Sequence, residues 1–188
     1  KEKLDLNVFK DKFNIPRDKK LVSFLVSPLT YKGERNWLDK YHEVLDFLKL
    51  LDIVMLDFPQ LHLVIKPHPR DNLSFVKQSV KKVMKFRPTI SMNLNIYELI
   101  CCSDFIITKD STIGLESMIL GTPVICFNPF IPFTDNKLIP YVSSGAALGV
   151  YDFESTKESF EILLNDDKRN SSLANCVDKF VFDYAYAN

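Results

Sequence analysis

The chain has 188 residues, 46% of them apolar and 12% aromatic, which is enough for one sizeable core and too little for two. Lysine plus arginine and aspartate plus glutamate number 24 each, which excludes a whole-molecule field that would gather nucleic acid or an anionic membrane. Any anion site is therefore local. Cys101, Cys102, Cys126 and Cys176 lie in or beside apolar stretches, without the spacing of a zinc ribbon or a disulfide scaffold, and read as buried free thiols in a reducing compartment. The chain opens at Lys1 and carries no charged-then-apolar leader and no run of about 18 apolar residues. It reads as a cytoplasmic piece of something longer.

Residues 1–20 are charged, with Leu6, Phe9, Phe13 and Ile15 as the apolar anchors, and they end in Ile15-Pro16-Arg17-Asp18-Lys19-Lys20. An inter-domain linker and a solvated surface helix both fit that pattern. A β-rich run follows from Leu21 to Val26, and then Asn36 to Leu56 is amphipathic at helical spacing through Trp37, Tyr41, Val44, Leu45, Leu48 and Leu51. The lone Trp37 reads as a core anchor rather than a platform for a base. The second strand is Leu61 to Lys66, followed by a helix over Asn72 to Met84. A short helix, Ile96 to Cys102, precedes a strand at Phe105 to Thr108, and the next helix runs from about Thr112 to Leu120, where Gly121 supplies a left-handed cap. After Gly121-Thr122-Pro123 a fourth strand covers Val124 to Phe127, and helices over Glu154 to Leu164 and Ser171 to Tyr184 complete residues 21–188 as one domain. Nearly continuous apolar strands alternating with helices predict an α/β fold, a doubly wound parallel sheet covered on both faces in three α/β/α layers.

Ligands of such sheets bind beyond the carboxyl ends of the strands, so the loops that follow the strands carry the chemistry. After Ile65 comes Lys66-Pro67-His68-Pro69-Arg70-Asp71, where two prolines stiffen the backbone around Lys66, His68 and Arg70. A histidine between two prolines has no evident packing purpose. Held rigidly, the three side chains form a diphosphate clamp able to stabilise charge growing on a departing nucleotide, with His68 as the catalytic candidate. After Thr108, the run Lys109-Asp110-Ser111-Thr112-Ile113-Gly114-Leu115-Glu116 leads a buried strand into hydroxyl residues at a helix start, where unpaired N–H groups favour a phosphate. Ser111 and Thr112 are placed on diphosphate oxygens, and Glu116, one turn beyond Thr112, on the ribose hydroxyls. Plain capping by Asp110 or Ser111 accounts for part of this pattern, but not for Gly114, since a mid-helix glycine usually marks the close approach of another group. A third loop, Ser27 to Asn36, offers Lys32, Gly33 and Arg35 as further donor contacts beside Asp110, and the nucleotide base is expected at Ile90 to Tyr97, with Tyr97 equally suited to the core. Phe127, Phe130, Phe133 and Tyr141 are grouped as an aromatic patch suited to a domain interface.

The stretch from Asn95-Ile96-Tyr97-Glu98-Leu99 through Ser103-Asp104 to Gly114-Leu115-Glu116-Ser117-Met118 and Leu120-Gly121-Thr122-Pro123-Val124-Ile125 resembles the C-terminal domain of GT-B glycosyltransferases and of the related UDP-N-acetylglucosamine 2-epimerases. Lys66-Pro67-His68-Pro69 is similar to the His-Pro motif of CDP-glycerol glycerophosphotransferases, bacterial polysialyltransferases and capsule polysaccharide transferases. The resemblance implies the C-terminal, Rossmann-like half of a GT-B enzyme. It implies His68, Ser111 and Thr112 on the donor's phosphates, Glu116 on its ribose, and residues 1–20 as the inter-domain linker. The implied activity is transfer from a nucleotide-activated sugar, or of an alditol phosphate, in surface or capsule polysaccharide synthesis. The acceptor, a polysaccharide or a lipid-linked one, would be recognised by a separate N-terminal domain, so this piece alone would bind donor but turn over poorly. The implied setting is the cytoplasm, at most peripherally on the inner membrane face, without metal or cofactor. Position 108, eight before Glu116, is threonine where many retaining members carry glutamate, which argues against that subgroup. The epimerases carry Ser-Gly-Gly where this chain has Asp110-Ser111-Thr112, which ranks epimerase below transferase. A Rossmann-like module that binds without catalysis is the remaining alternative.

Overall fold

The computed structural model describes residues 5–25, 37–109, 111–127 and 140–185. Helix α1 (Leu6–Lys12) is followed by β1 (Lys20–Leu25), α2 (Trp37–Asp57), β2 (Leu61–Lys66), α3 (Leu73–Val83), β3 (Thr89–Ile90), α4 (Ile96–Cys102), β4 (Phe105–Thr108), α5 (Ile113–Ile119), β5 (Val124–Phe127), β6 (Leu148–Val150), α6 (Phe153–Asn165) and α7 (Asp167–Ala185). Six parallel strands lie in the order β3-β2-β1-β4-β5-β6. That order reverses direction between β1 and β4, and the divergence of connections at such a switch point leaves a crevice at the strand ends.

The four central strands form because their residues can be buried on both faces. Val22 and Phe24 point into one core with Phe47, Leu48 and Leu51 of α2 and Phe160 of α6, while Leu21 and Leu25 face the opposite layer with Val64, Leu99, Ile100 and Ile106. Phe47 stacks on Phe127 at 4.3 Å between ring centres. A third cluster beneath α5 and α7 joins Met118, Val124, Cys126, Tyr141 and Phe180. The three layers are those predicted.

The segment before β1 is part of this packing. Phe9 and Ile15 are buried against Leu21, Leu25 and Ile106, and the Lys10 ammonium donates to the Arg17 and Lys19 carbonyls at 3.0 and 2.6 Å. Two strands escape the sequence pattern, since β3 has two residues and β6 three, both largely half-buried at the sheet edges. The aromatic interface grouping is corrected: Phe127 and Tyr141 are interior, 1% and 2% exposed, and Phe130 and Phe133 lie outside the described residues. Tyr97 is 54% exposed, so it does not serve the core. The cysteines are all free thiols, but Cys101 is exposed rather than buried. Among the described residues, no helix is long and apolar enough to cross a membrane.

The polar and glycine residues around β4 and β5 have structural work at the end of the sheet away from the crevice. The Asp104 carboxylate accepts the Leu21 N–H at 2.7 Å while its own N–H donates to the Leu21 carbonyl, tying the starts of β4 and β1 together. Ser103 donates to the Leu99 carbonyl at 2.6 Å, which leaves Ser23, buried inside β1, to donate to the Ser103 hydroxyl at 2.7 Å. Gly121 takes the left-handed φ of 81° that ends α5, and Thr122 donates to the Ile100 carbonyl at 2.9 Å.

Candidate functional site

A cleft of about 390 Å³ opens beyond the carboxyl ends of β1, β2 and β4. Its polar lining comes from Lys66, His68, Ser111, Thr112 and Glu116, and its apolar wall includes Leu25, Leu94, Ile96 and Ile113. Two loops 40 residues apart in sequence thus meet at the switch point, where fold geometry places a ligand. A larger groove, about 780 Å³, lies at the opposite end of the sheet beside Asp57, Lys157, Glu158 and Arg169. Four of its charges pair with one another, Lys157 with Asp57 at 2.6 Å and Arg169 with Glu158 at 2.9 Å, in the manner of surface ion pairs.

The β2 loop is held from below by Asp71. Its buried carboxylate accepts the His68 N–H at 3.0 Å, and the Asp71 N–H donates to the His68 carbonyl at 2.8 Å, so a compact turn closes around Pro69. The turn also sets the imidazole. The Arg70 N–H donates to His68 Nδ1 at 3.1 Å, so the neutral ring carries its proton on Nε2 and presents it as a donor. Lys66 donates to the Met92 carbonyl at 3.3 Å, and partial burial pulls its pKa below the ordinary lysine value. A nearby anion would offset that cost. Arg70 is exposed and does not line the cleft wall, and its backbone N–H bonds His68.

The β4 loop enters α5 at Thr112, whose side chain makes no capping bond. The amides at this helix start differ from the expectation of unpaired donors. Gly114 N–H donates to the Ser111 carbonyl at 2.9 Å, Leu115 N–H to the Tyr141 hydroxyl at 3.0 Å, and Ile113 N–H weakly to Ser111 Oγ at 3.4 Å. An anion here meets chiefly hydroxyl groups. Among the described residues, no donor reaches the Glu116 carboxylate, which is half-buried in the cleft on the same face as Thr112. The group that approaches Gly114 is Tyr141: a Cβ at 114 would stand 3.0 Å from its ring. The glycine signal was sound, but the neighbour is a tyrosine in the layer behind α5. Sequence reasoning also missed Asp71, whose spacing of three from His68 was its only local trace.

Lys32, Gly33, Arg35 and Asp110 lie outside the described residues. Of the base segment, Leu94 and Ile96 line the cleft and the Met92 carbonyl holds Lys66, while Asn95 is committed to capping α4 through the N–H groups of Tyr97 and Glu98.

Residues 38–130 match the family model for capsule polysaccharide biosynthesis proteins. The matched region is just under half of the chain and contains both loops. Among solved structures, the chain is similar to a putative UDP-N-acetylglucosamine 2-epimerase from Listeria monocytogenes, with TM-score 0.64 and 13% identity over 97% of this chain and 46% of that one. It is similar to the wall teichoic acid polymerase TagF, in a structure soaked with CDPG, with TM-score 0.64 and 21% identity over 95% of this chain and 39% of that one. WaaG, a glycosyltransferase of lipopolysaccharide biosynthesis, gives TM-score 0.54 and 14% identity over 93% and 46%. The chain thus spans less than half the length of each, and its fold is the Rossmann-like, open parallel α/β fold of the part of those structures that it matches. No curated protein matches by sequence.

Proposed function

We propose that the chain is the donor-binding half of a transferase that uses a nucleotide-activated sugar, or an activated alditol phosphate, to build a surface or capsule polysaccharide. The observation that carries this is the convergence of His68, Ser111, Thr112 and Glu116 on one cleft at the switch point, within the region matched by the capsule polysaccharide family. In this reading the His68 Nε2–H and the hydroxyls of Ser111 and Thr112 hold the diphosphate, Lys66 adds positive charge, and Glu116 accepts from the ribose hydroxyls. As the donor bond breaks, negative charge gathers on the departing phosphate oxygen. Donors fixed in advance, like an Nε2–H set by the Arg70 amide, stabilise that charge without reorienting.

The proposed chemistry assigns no step to a metal or cofactor. Acceptor recognition and the general base are assigned to a further domain, and the reaction to the cytoplasmic side, where four free thiols are at home. A sugar-nucleotide epimerase is the second reading, favoured by a structural likeness to the Listeria protein as high as that to TagF. The family match and the higher identity to TagF support the transferase.

Calorimetric titration with UDP, CDP, GDP and CMP tests the site. One nucleotide should bind, and His68→Ala and Glu116→Ala should each weaken it about tenfold, the scale of a charge-assisted hydrogen bond. Wild-type affinity in both variants overturns the assignment. Conversion of UDP-N-acetylglucosamine to an epimerised product without acceptor, by a longer protein containing this chain, would favour the second reading.

A further inference from the structure

The first turn of α5 contains an inserted side chain. Were α5 to begin one residue earlier, the Leu115 N–H would donate to the Ser111 carbonyl, four residues back; as it is, the first helical bond runs from the Glu116 N–H to the Thr112 carbonyl at 3.1 Å. The Tyr141 hydroxyl stands between Leu115 and Ser111, accepting from the Leu115 N–H at 3.0 Å and donating to the Ser111 carbonyl at 3.0 Å. A group inserted into the main-chain ladder splays the turn it enters. From the main chain the Ser111 carbonyl accepts from the Gly114 N–H, at 2.9 Å, so the residues ahead of the helix are held in a tighter local turn.

The insertion is built rather than incidental. Tyr141 is 2% exposed, its ring meets Phe180 edge-on at 5.6 Å, and it packs so closely on residue 114 that a Cβ there would stand 3.0 Å from the ring. Burial pushes its pKa up to about 12, so the hydroxyl keeps the proton that it donates. Thr112 supplies no side-chain cap, and among the described residues Tyr141 is a side chain from outside α5 that bonds this turn on both sides.

We propose that Tyr141 is a positioning residue for the donor diphosphate: by bridging the Leu115 N–H and the Ser111 carbonyl just ahead of the first helical bond of α5, it sets the backbone of Ser111, and so aims the Ser111 hydroxyl into the cleft without lining the cleft itself. The proposal rests on the donor-binding reading above. Loss of the hydroxyl lets the Leu115 N–H close directly on the Ser111 carbonyl, drawing Ser111 back into the helix.

The test is a double-mutant cycle on Tyr141→Phe and Ser111→Ala, read as the Kd for whichever of UDP, CDP and GDP the wild type binds most tightly. Tyr141→Phe keeps the ring and its packing. It should raise Kd about fivefold, and the double variant should be no weaker than Ser111→Ala alone, because Tyr141 acts through Ser111. Should Tyr141→Phe fail to fold, Gly114→Ala takes its place in the cycle, since the added methyl would stand 3.0 Å from the ring and shift the hydroxyl against the Ser111 carbonyl. An unchanged Kd in the tyrosine variant, or losses that simply add, overturns the positioning role while leaving the donor site intact. A wild type that binds none of the three nucleotides overturns the donor-binding reading and this inference with it.

Discussion

Replacing Asp71 by alanine should loosen the site from beneath without touching its cleft surface. The carboxylate is 7% exposed and accepts the His68 N–H at 3.0 Å. A hydrogen bond to a charged acceptor contributes about 1.5–3 kcal/mol, so the loss should be about 2 kcal/mol. For a chain of this size that corresponds to a melting temperature lower by roughly 4–8 °C. Asp71→Asn retains an acceptor oxygen and should cost about half as much. Because the same turn sets the Arg70 N–H against His68 Nδ1, freeing it also unlocks the imidazole, and nucleotide affinity should fall about tenfold in Asp71→Ala. Thermal melts followed by circular dichroism, paired with calorimetric titration, measure both effects. An alanine variant that melts with the wild type and binds nucleotide equally well would show that Pro67 and Pro69 hold the loop unaided, and the account of Asp71 would be wrong.

Asp104→Ala should separate stability from binding: it removes the acceptor of the Leu21 N–H at the end of the sheet away from the cleft, costing about 1–2 kcal/mol in a urea melt while nucleotide Kd stays unchanged. His62, whose Nε2 lies 2.9 Å from the Thr89 hydroxyl, has its pKa held below 6.5 first by burial and then by Lys19 and Lys10. The unfolded chain therefore takes this proton first as pH falls, so the stabilisation is complete above pH 6.5 and is lost as pH drops through the folded pKa. His62→Gln should flatten the acid side of the stability profile in that window, as followed by denaturant melts at stepped pH.

The central strands could be read from sequence because burial on both faces writes an unbroken apolar run, as at Phe105–Thr108 and Val124–Phe127. Short half-buried edge strands such as Thr89–Ile90 write no such signal. The cleft was legible because chain order and strand chemistry fix which loops leave the carboxyl edge, and Lys66, His68, Ser111, Thr112 and Glu116 all meet there. The part Arg70 plays through its backbone was not legible, because only the turn closed by Asp71 shows that its N–H meets the imidazole. Tyr141 was beyond local reasoning, since a partner 30 residues from Ser111 leaves only the gap at Gly114 as its imprint. The amides of α5 were misread for the same reason: their acceptors include a hydroxyl from another layer.

The burial of Phe9 and Ile15 also bears on how this polypeptide can be dissected. A boundary drawn by composition at Lys20 would cut through a folded layer, because the charged opening residues carry two of the plugs that shield Leu21, Leu25 and Ile106 from water. Trimming there would exchange an interior wall for a sticky one, so the shortest well-behaved version of this unit has to retain α1.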